Sequence, residues 1–80
     1  MDDQDIVRRI GMLVSDEHAL ERSHTETGLD DEELERLRAI ETALDQCWDL
    51  LRQRRARRDA GQNPDSATVR SERVVEGYQQ

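Results

Sequence analysis

The chain has no Phe and no Lys, and only one Trp, one Tyr, one Cys and one Pro in 80 residues. So few large side chains leave little area to bury, and a core built from one copy alone is marginal. A single cysteine excludes an internal disulfide, and the chain reads as a reduced, cytoplasmic protein. No apolar run exceeds Met12-Leu13-Val14, far short of the ~20 residues a transmembrane helix needs. The acidic start, MDDQD, lacks the basic and apolar regions of a signal peptide. Eighty residues make one small domain at most. There is no Gly-rich phosphate loop, no Ser-His-Asp pattern and no C-x-x-C or H-x-x-x-H pair, so the common signatures of catalysis and metal binding are missing.

What is present is charge, which makes up 39% of the residues against 34% apolar. The net charge is −7, and it is unevenly spread. Residues 1–50 carry −10, residues 51–60 carry +4 and residues 61–80 carry −1. Most of such a surface repels nucleic acid and favours solubility.

Periodicity predicts two helices. Ile6, Ile10, Leu13 and Leu20 recur at three-to-four spacing, widened by Val7 and Val14, over a first helix of about residues 2–23. Asp2, Asp3 and Asp5 suit its positive N-terminal end. Gly11, costing about 1 kcal/mol relative to Ala, marks a close approach by another helix. Residues 24–29 form a turn containing Thr25, Thr27 and Gly28. Asp30 followed by Glu33 is a capping box, with Leu29 and Leu34 in staple positions. The second helix then runs over about residues 30–60, with Leu34, Leu37, Ile40, Leu44, Cys47, Trp48 and Leu51 on one face. Leu37, Leu44 and Leu51 are seven apart, the spacing of a coiled-coil seam. Gly61 serves as the residue after the C-cap, with Asn63-Pro64 as a stop. The hairpin thus occupies residues 1–61. Residues 62–80 form a C-terminal tail, irregular or with a short helical turn at Asn63-Pro64, whose Val69, Val74, Val75 and Tyr78 predict docking onto the rest.

A short turn makes the helices antiparallel neighbours. The expected register sets Ile6 near Trp48, Ile10 near Leu44, Leu13 near Glu41 and Leu20 near Leu34. The arginine run then overhangs the first helix by roughly six to nine residues, or about 9–14 Å, beside Asp2, Asp3 and Asp5. The second helix is apolar over a wider face than one partner needs. The expected architecture is therefore all-α: a two-helix antiparallel hairpin that dimerises into a four-helix bundle, with self-association carried by Leu37, Ile40, Leu44, Trp48 and Leu51. The alternative is a monomer with the tail as its third element.

Three constellations have functional readings. Arg52, Arg54, Arg55, Arg57 and Arg58 offer an electrostatic contact for an acidic protein, or for nucleic acid phosphates. Without interleaved aromatics and on an acidic chain, nucleic acid is disfavoured, and a solvated helix end pairing with nearby acids explains the run as well. Glu21-Arg22-Ser23-His24 has the E-x-x-H spacing of four-helix carboxylate metal sites, with Glu17 one turn earlier. The motif occurs once, at the hairpin tip, so these are weak candidates and no metal or other cofactor is expected. Cys47 falls on the apolar face, far in sequence from His18, and reads as a buried structural thiol. Trp48 reads as a core anchor packed on Ile6.

The stretch Leu44-Asp45-Gln46-Cys47-Trp48-Asp49-Leu50-Leu51-Arg52-Gln53-Arg54-Arg55-Ala56-Arg57-Arg58, with Val75-Glu76-Gly77-Tyr78 near the end, resembles a family of small bacterial proteins. It is the domain of unknown function 2630. The resemblance covers nearly the whole chain and implies no activity. The family pattern has an apolar residue after the Tyr, where this chain has Gln79. The leading expectation is a non-catalytic interaction or regulatory module that self-associates and binds a protein partner. Nucleic-acid binding through the arginines is second, and a metal site on Glu17, Glu21 and His24 is third.

Overall fold

The structure, a computed structural model, describes residues 2–23 and 28–71. The region is all-helical: α1 spans Asp3–Ser23, α2 spans Asp31–Asp59, and a single 3-10 turn spans Pro64–Ser66. No strand occurs among the described residues. Residues 24–27, which include His24 and most of the expected turn, and residues 72–80, which include Val74, Val75 and Tyr78, lie outside the described residues.

Both helices begin on reciprocal caps. Asp30 accepts from the Glu33 backbone N–H at 2.8 Å, and the Glu33 carboxylate accepts from the Asp30 N–H at 3.2 Å. This is the capping box that the sequence predicts. At α1 the same exchange joins Asp2 and Asp5, at 2.8 and 3.2 Å. The Asp5 backbone N–H, chiefly, holds the Asp2 carboxyl below its ordinary pKa.

α2 ends as expected, at a glycine in the left-handed region. Gly61 has φ of 73°, which only glycine adopts without strain. Its N–H reaches the Arg58 carbonyl at 3.1 Å, and the Gln62 N–H reaches the Arg57 carbonyl at 2.7 Å. Together these bonds make a Schellman stop. Asn63 then caps the 3-10 turn by accepting from the Asp65 N–H at 2.9 Å.

The core is small. Ile6, Ile10, Cys47 and Leu50 are buried together, flanked by partly buried Leu13, Val14, Leu44, Leu51 and Ala67. The expected register needs correction. Ion pairs from Asp3 to Arg54 and Arg58 slide α1 about one turn further along α2. Arg58 stands one residue before the end of α2, so the expected overhang of the arginine run all but disappears. Trp48, about 60–80° around α2 from the seam, stands outside it. It is 50% exposed and does not anchor the core on Ile6. Gly11 also differs from expectation, because nothing lies within 4 Å of where its Cβ would stand. No other segment of the described chain approaches it.

Beyond Gly61 the chain doubles back along α2 as an extended strap. Its path is marked by contacts to progressively earlier residues of α2: Asp65 with Arg54, Thr68 with Gln53, and Arg70 with Asp49 and Gln46. Ala67 reaches the core. Residues 62–71 are thus a third packed element within the chain, adding a layer on one side of the hairpin.

Candidate functional site

Helical geometry places each surface. At about 100° per residue, the seam of α2 runs through Ile40, Leu44, Cys47, Leu51 and Arg54. The strap covers the side bearing Gln46, Asp49, Leu50 and Gln53. The opposite side bears Leu34, Glu41, Asp45, Trp48, Arg52 and Arg55. In an antiparallel hairpin that bare side also receives Val7 and Gly11 of α1.

On the strap side, charge is buried. Asp49 is 1% exposed, although it points away from α1. Its Oδ2 accepts from Gln53 Nε2 at 3.0 Å and pairs with Arg70 Nε at 3.2 Å. Gln53 Nε2 also donates to the Thr68 carbonyl at 2.7 Å, and Gln46 Nε2 to the Arg70 carbonyl at 3.2 Å. These bonds satisfy strap backbone groups that packing would otherwise strand. Arg54, 6% exposed, is the second clamp. Its Nε donates to Asp3 Oδ1 at 2.5 Å. Its Nη1 donates to Asp65 Oδ1 at 3.0 Å and to the Pro64 carbonyl at 3.3 Å. One guanidinium thereby ties α1, α2 and the strap together, and its fork suits several acceptors at once. Arg54, and then Arg58 at 2.9 Å, hold the Asp3 carboxyl below its ordinary pKa. Asp3 and then Asp65 raise that of Arg54.

The five arginines of the run therefore divide. Arg54 is an internal clamp and Arg58 pairs with Asp3. Arg52 lies 4.0 Å from Asp49. Arg55 stands exposed on the bare side. Half-buried Arg57 lines a shallow 230 Å³ basin on the strap side with Gln53, Ala56, Gln62 and Arg70. The five expected self-association residues divide as well. Ile40 is buried, Leu44 and Leu51 pack on the hairpin core, Leu37 is half-buried and Trp48 is exposed.

Sequence reasoning missed Asp49 and the structural role of Arg54. For Arg54 a signal existed, since it continues the series 37, 40, 44, 47, 51 at the next three-residue step. Asp49 carries no such signal, because its burial depends on a strap twenty residues further along the chain.

Cys47 is a buried free thiol. Among the described residues, the 120 Å³ groove beside it is lined by Arg9, Ala43, Gln46, Leu50 and Val69, none of them a His, Asp or Glu that could act as a base toward sulfur. Exposed Met12 and Val69 are the apolar residues outside the bare side. Of the weak metal candidates, Glu17 is half-buried, Glu21 is exposed and His24 lies outside the described residues. Among the described residues, no three His, Cys, Asp or Glu side chains converge on a metal position. No helix among them is long and apolar enough to cross a membrane.

Among the described residues these features define a class: a small helical hairpin closed on one side by its own strap through buried charge, with apolar side chains exposed on the other. The chain belongs to the protein family of unknown function DUF2630, whose model matches residues 2–80. It is 48% identical over 77 residues to uncharacterized proteins of Mycobacterium bovis and Mycobacterium tuberculosis, covering 95% of this chain and 88% of each relative. No solved structure matches it.

Proposed function

We propose that the protein is a non-catalytic helical interaction module that works as a homodimer in the cytoplasm. One observation carries the reading. Val7, Trp48 and Leu34 are 56%, 50% and 38% exposed on the side of the hairpin that the strap leaves bare. A chain this poor in apolar residues gains little by spending its only Trp on solvent. An exposed Trp with charged residues before and after it along the same face fits an interaction site. Of the arginine run, Arg57 stands outside that face and supplies electrostatic contact with an acidic protein surface.

Light scattering on wild type and Trp48→Asp tests this. The expected mass of wild type is twice 9.3 kDa, falling to one chain in the variant with helical content unchanged. A wild type of one chain's mass at every concentration contradicts the reading.

A further inference from the structure

The bare side of α2 carries an ordered stripe of charge around the single Trp. Glu41, Asp45, Trp48, Arg52 and Arg55 follow one another at spacings of four, three, four and three residues. They therefore form one stripe along the helix. Its sequence is acid, acid, aromatic, base, base. The stripe is antisymmetric in charge about Trp48: Glu41 and Arg55 stand seven residues either side of it, Asp45 three before and Arg52 four after. Within the helix this order sets like charges one turn apart, Glu41 beside Asp45 and Arg52 beside Arg55, with Arg52 also 4.0 Å from Asp49. The helix dipole does not account for it, because its effect fades within the first and last turns, and Asp45 and Arg52 lie in the middle of α2.

We propose that this stripe is a self-complementary interface, and that its occupant is α2 of a second copy running antiparallel across it. The inference rests on the dimeric reading above and specifies its geometry. A two-fold axis lying in the interface and passing at Trp48 sets each copy's Arg55 against Glu41 of the other, and Arg52 against Asp45. The two tryptophans meet at the axis. An isologous contact demands this kind of inverted match, in which residue i meets j and j meets i. In the register fixed by Asp3 with Arg54 and Arg58, Val7 lies level with about residue 52 of α2 and Gly11 with about residue 48, so the first helices border the same interface near its axis.

Two measurements test the orientation separately from the existence of a dimer. In a Cys47→Ala background, a spin label at Glu32→Cys, an exposed position in the first turn of α2, reports the distance between copies. The antiparallel dimer places the labels roughly 45–50 Å apart, from sixteen residues either side of the axis at 1.5 Å each. A dimer with labels within about 20 Å overturns the proposal while leaving self-association standing. The second test is charge exchange. Arg55→Glu and Glu41→Arg each weaken the dimer by about tenfold, because each places like charges together twice per dimer. Combining the two restores affinity to near wild type. A combined variant no tighter than the single ones overturns the proposal. Monomeric wild type removes the dimeric reading and this one together.

Discussion

The two long sides of the hairpin solve the same problem differently. On the strap side and the adjoining seam, α2 presents polar and charged groups, and an extended segment of the same chain helps satisfy them: Asp49 takes Arg70 of the strap and Gln53 of α2, while Arg54 takes Asp65 of the strap and Asp3 of α1. On the other side, α2 presents Trp48 and Leu34 and leaves them exposed. A buried carboxylate or guanidinium is costly unless its partners are fixed, so the strap side closes only around the right intramolecular geometry. An apolar side chain asks only for water to be excluded, and a second molecule does that as well as a loop. The contrast teaches how residues 62–71 choose their face: they cover the one whose buried polar groups need fixed partners.

The most severe way to break the comparison is at the seam both sides share. Ile6 is 0% exposed, and Ile6→Ala is expected to cost about 2–5 kcal/mol. In a domain this small, the loss in denaturant midpoint amounts to most of the stability. Next comes the strap side alone. Asp49→Ala leaves Arg70 and Gln53 without their shared acceptor, at about 1–3 kcal/mol. Limited proteolysis is expected to cut within residues 60–71 faster than in wild type, while solution mass stays unchanged. If the mass changes as well, the two sides are not independent. Asp30→Ala removes the α2 cap for roughly 1 kcal/mol, and should lower the melting temperature without altering strap proteolysis.

A smaller effect is read by acid titration of unfolding. Asp3 is held below its ordinary value of 3.8 by Arg54 and Arg58. A carboxyl depressed in the folded state contributes its full stability above the unfolded value and loses it as pH falls through the folded one. The stability of Asp3→Asn should therefore vary less than that of wild type below pH 3.8, and run parallel to it at neutral pH. The smallest effect on the hairpin itself belongs to Trp48→Ser. At a dilution where both proteins are monomeric, it should unfold within about 0.5 kcal/mol of wild type, while its dimerisation is lost.

Legibility in the sequence followed the same division. The Asp30–Glu33 box and the Gly61 stop were readable because each is a local exchange between a side chain or backbone and groups within a few residues. The two helices were readable from spacing. The register was not, since Ile6 fits against Trp48 or Leu50 equally well by hydropathy and only the pairing of Asp3 with Arg54 and Arg58 chooses. Trp48 reads as core by its chemistry, yet a rotation of about 60–80° off the seam puts it outside. The arginine run reads as one patch along the chain, but a helix distributes neighbours around its circumference, so Arg54 turns inward while Arg55 faces solvent. Asp49 was beyond reach, because its partner Arg70 is brought back by a turn whose return path depends on the whole packed strap.

The fluorescence of Trp48 followed through a dilution series tests the central claim most directly, because the only tryptophan of the chain sits on the surface in question. If the bare side is a self-association face, emission at high concentration is blue-shifted and protected from acrylamide, and both properties vanish together on dilution, at the concentration where the mass halves. Emission that is red-shifted and freely quenched at every concentration, with no change on dilution, would contradict the account.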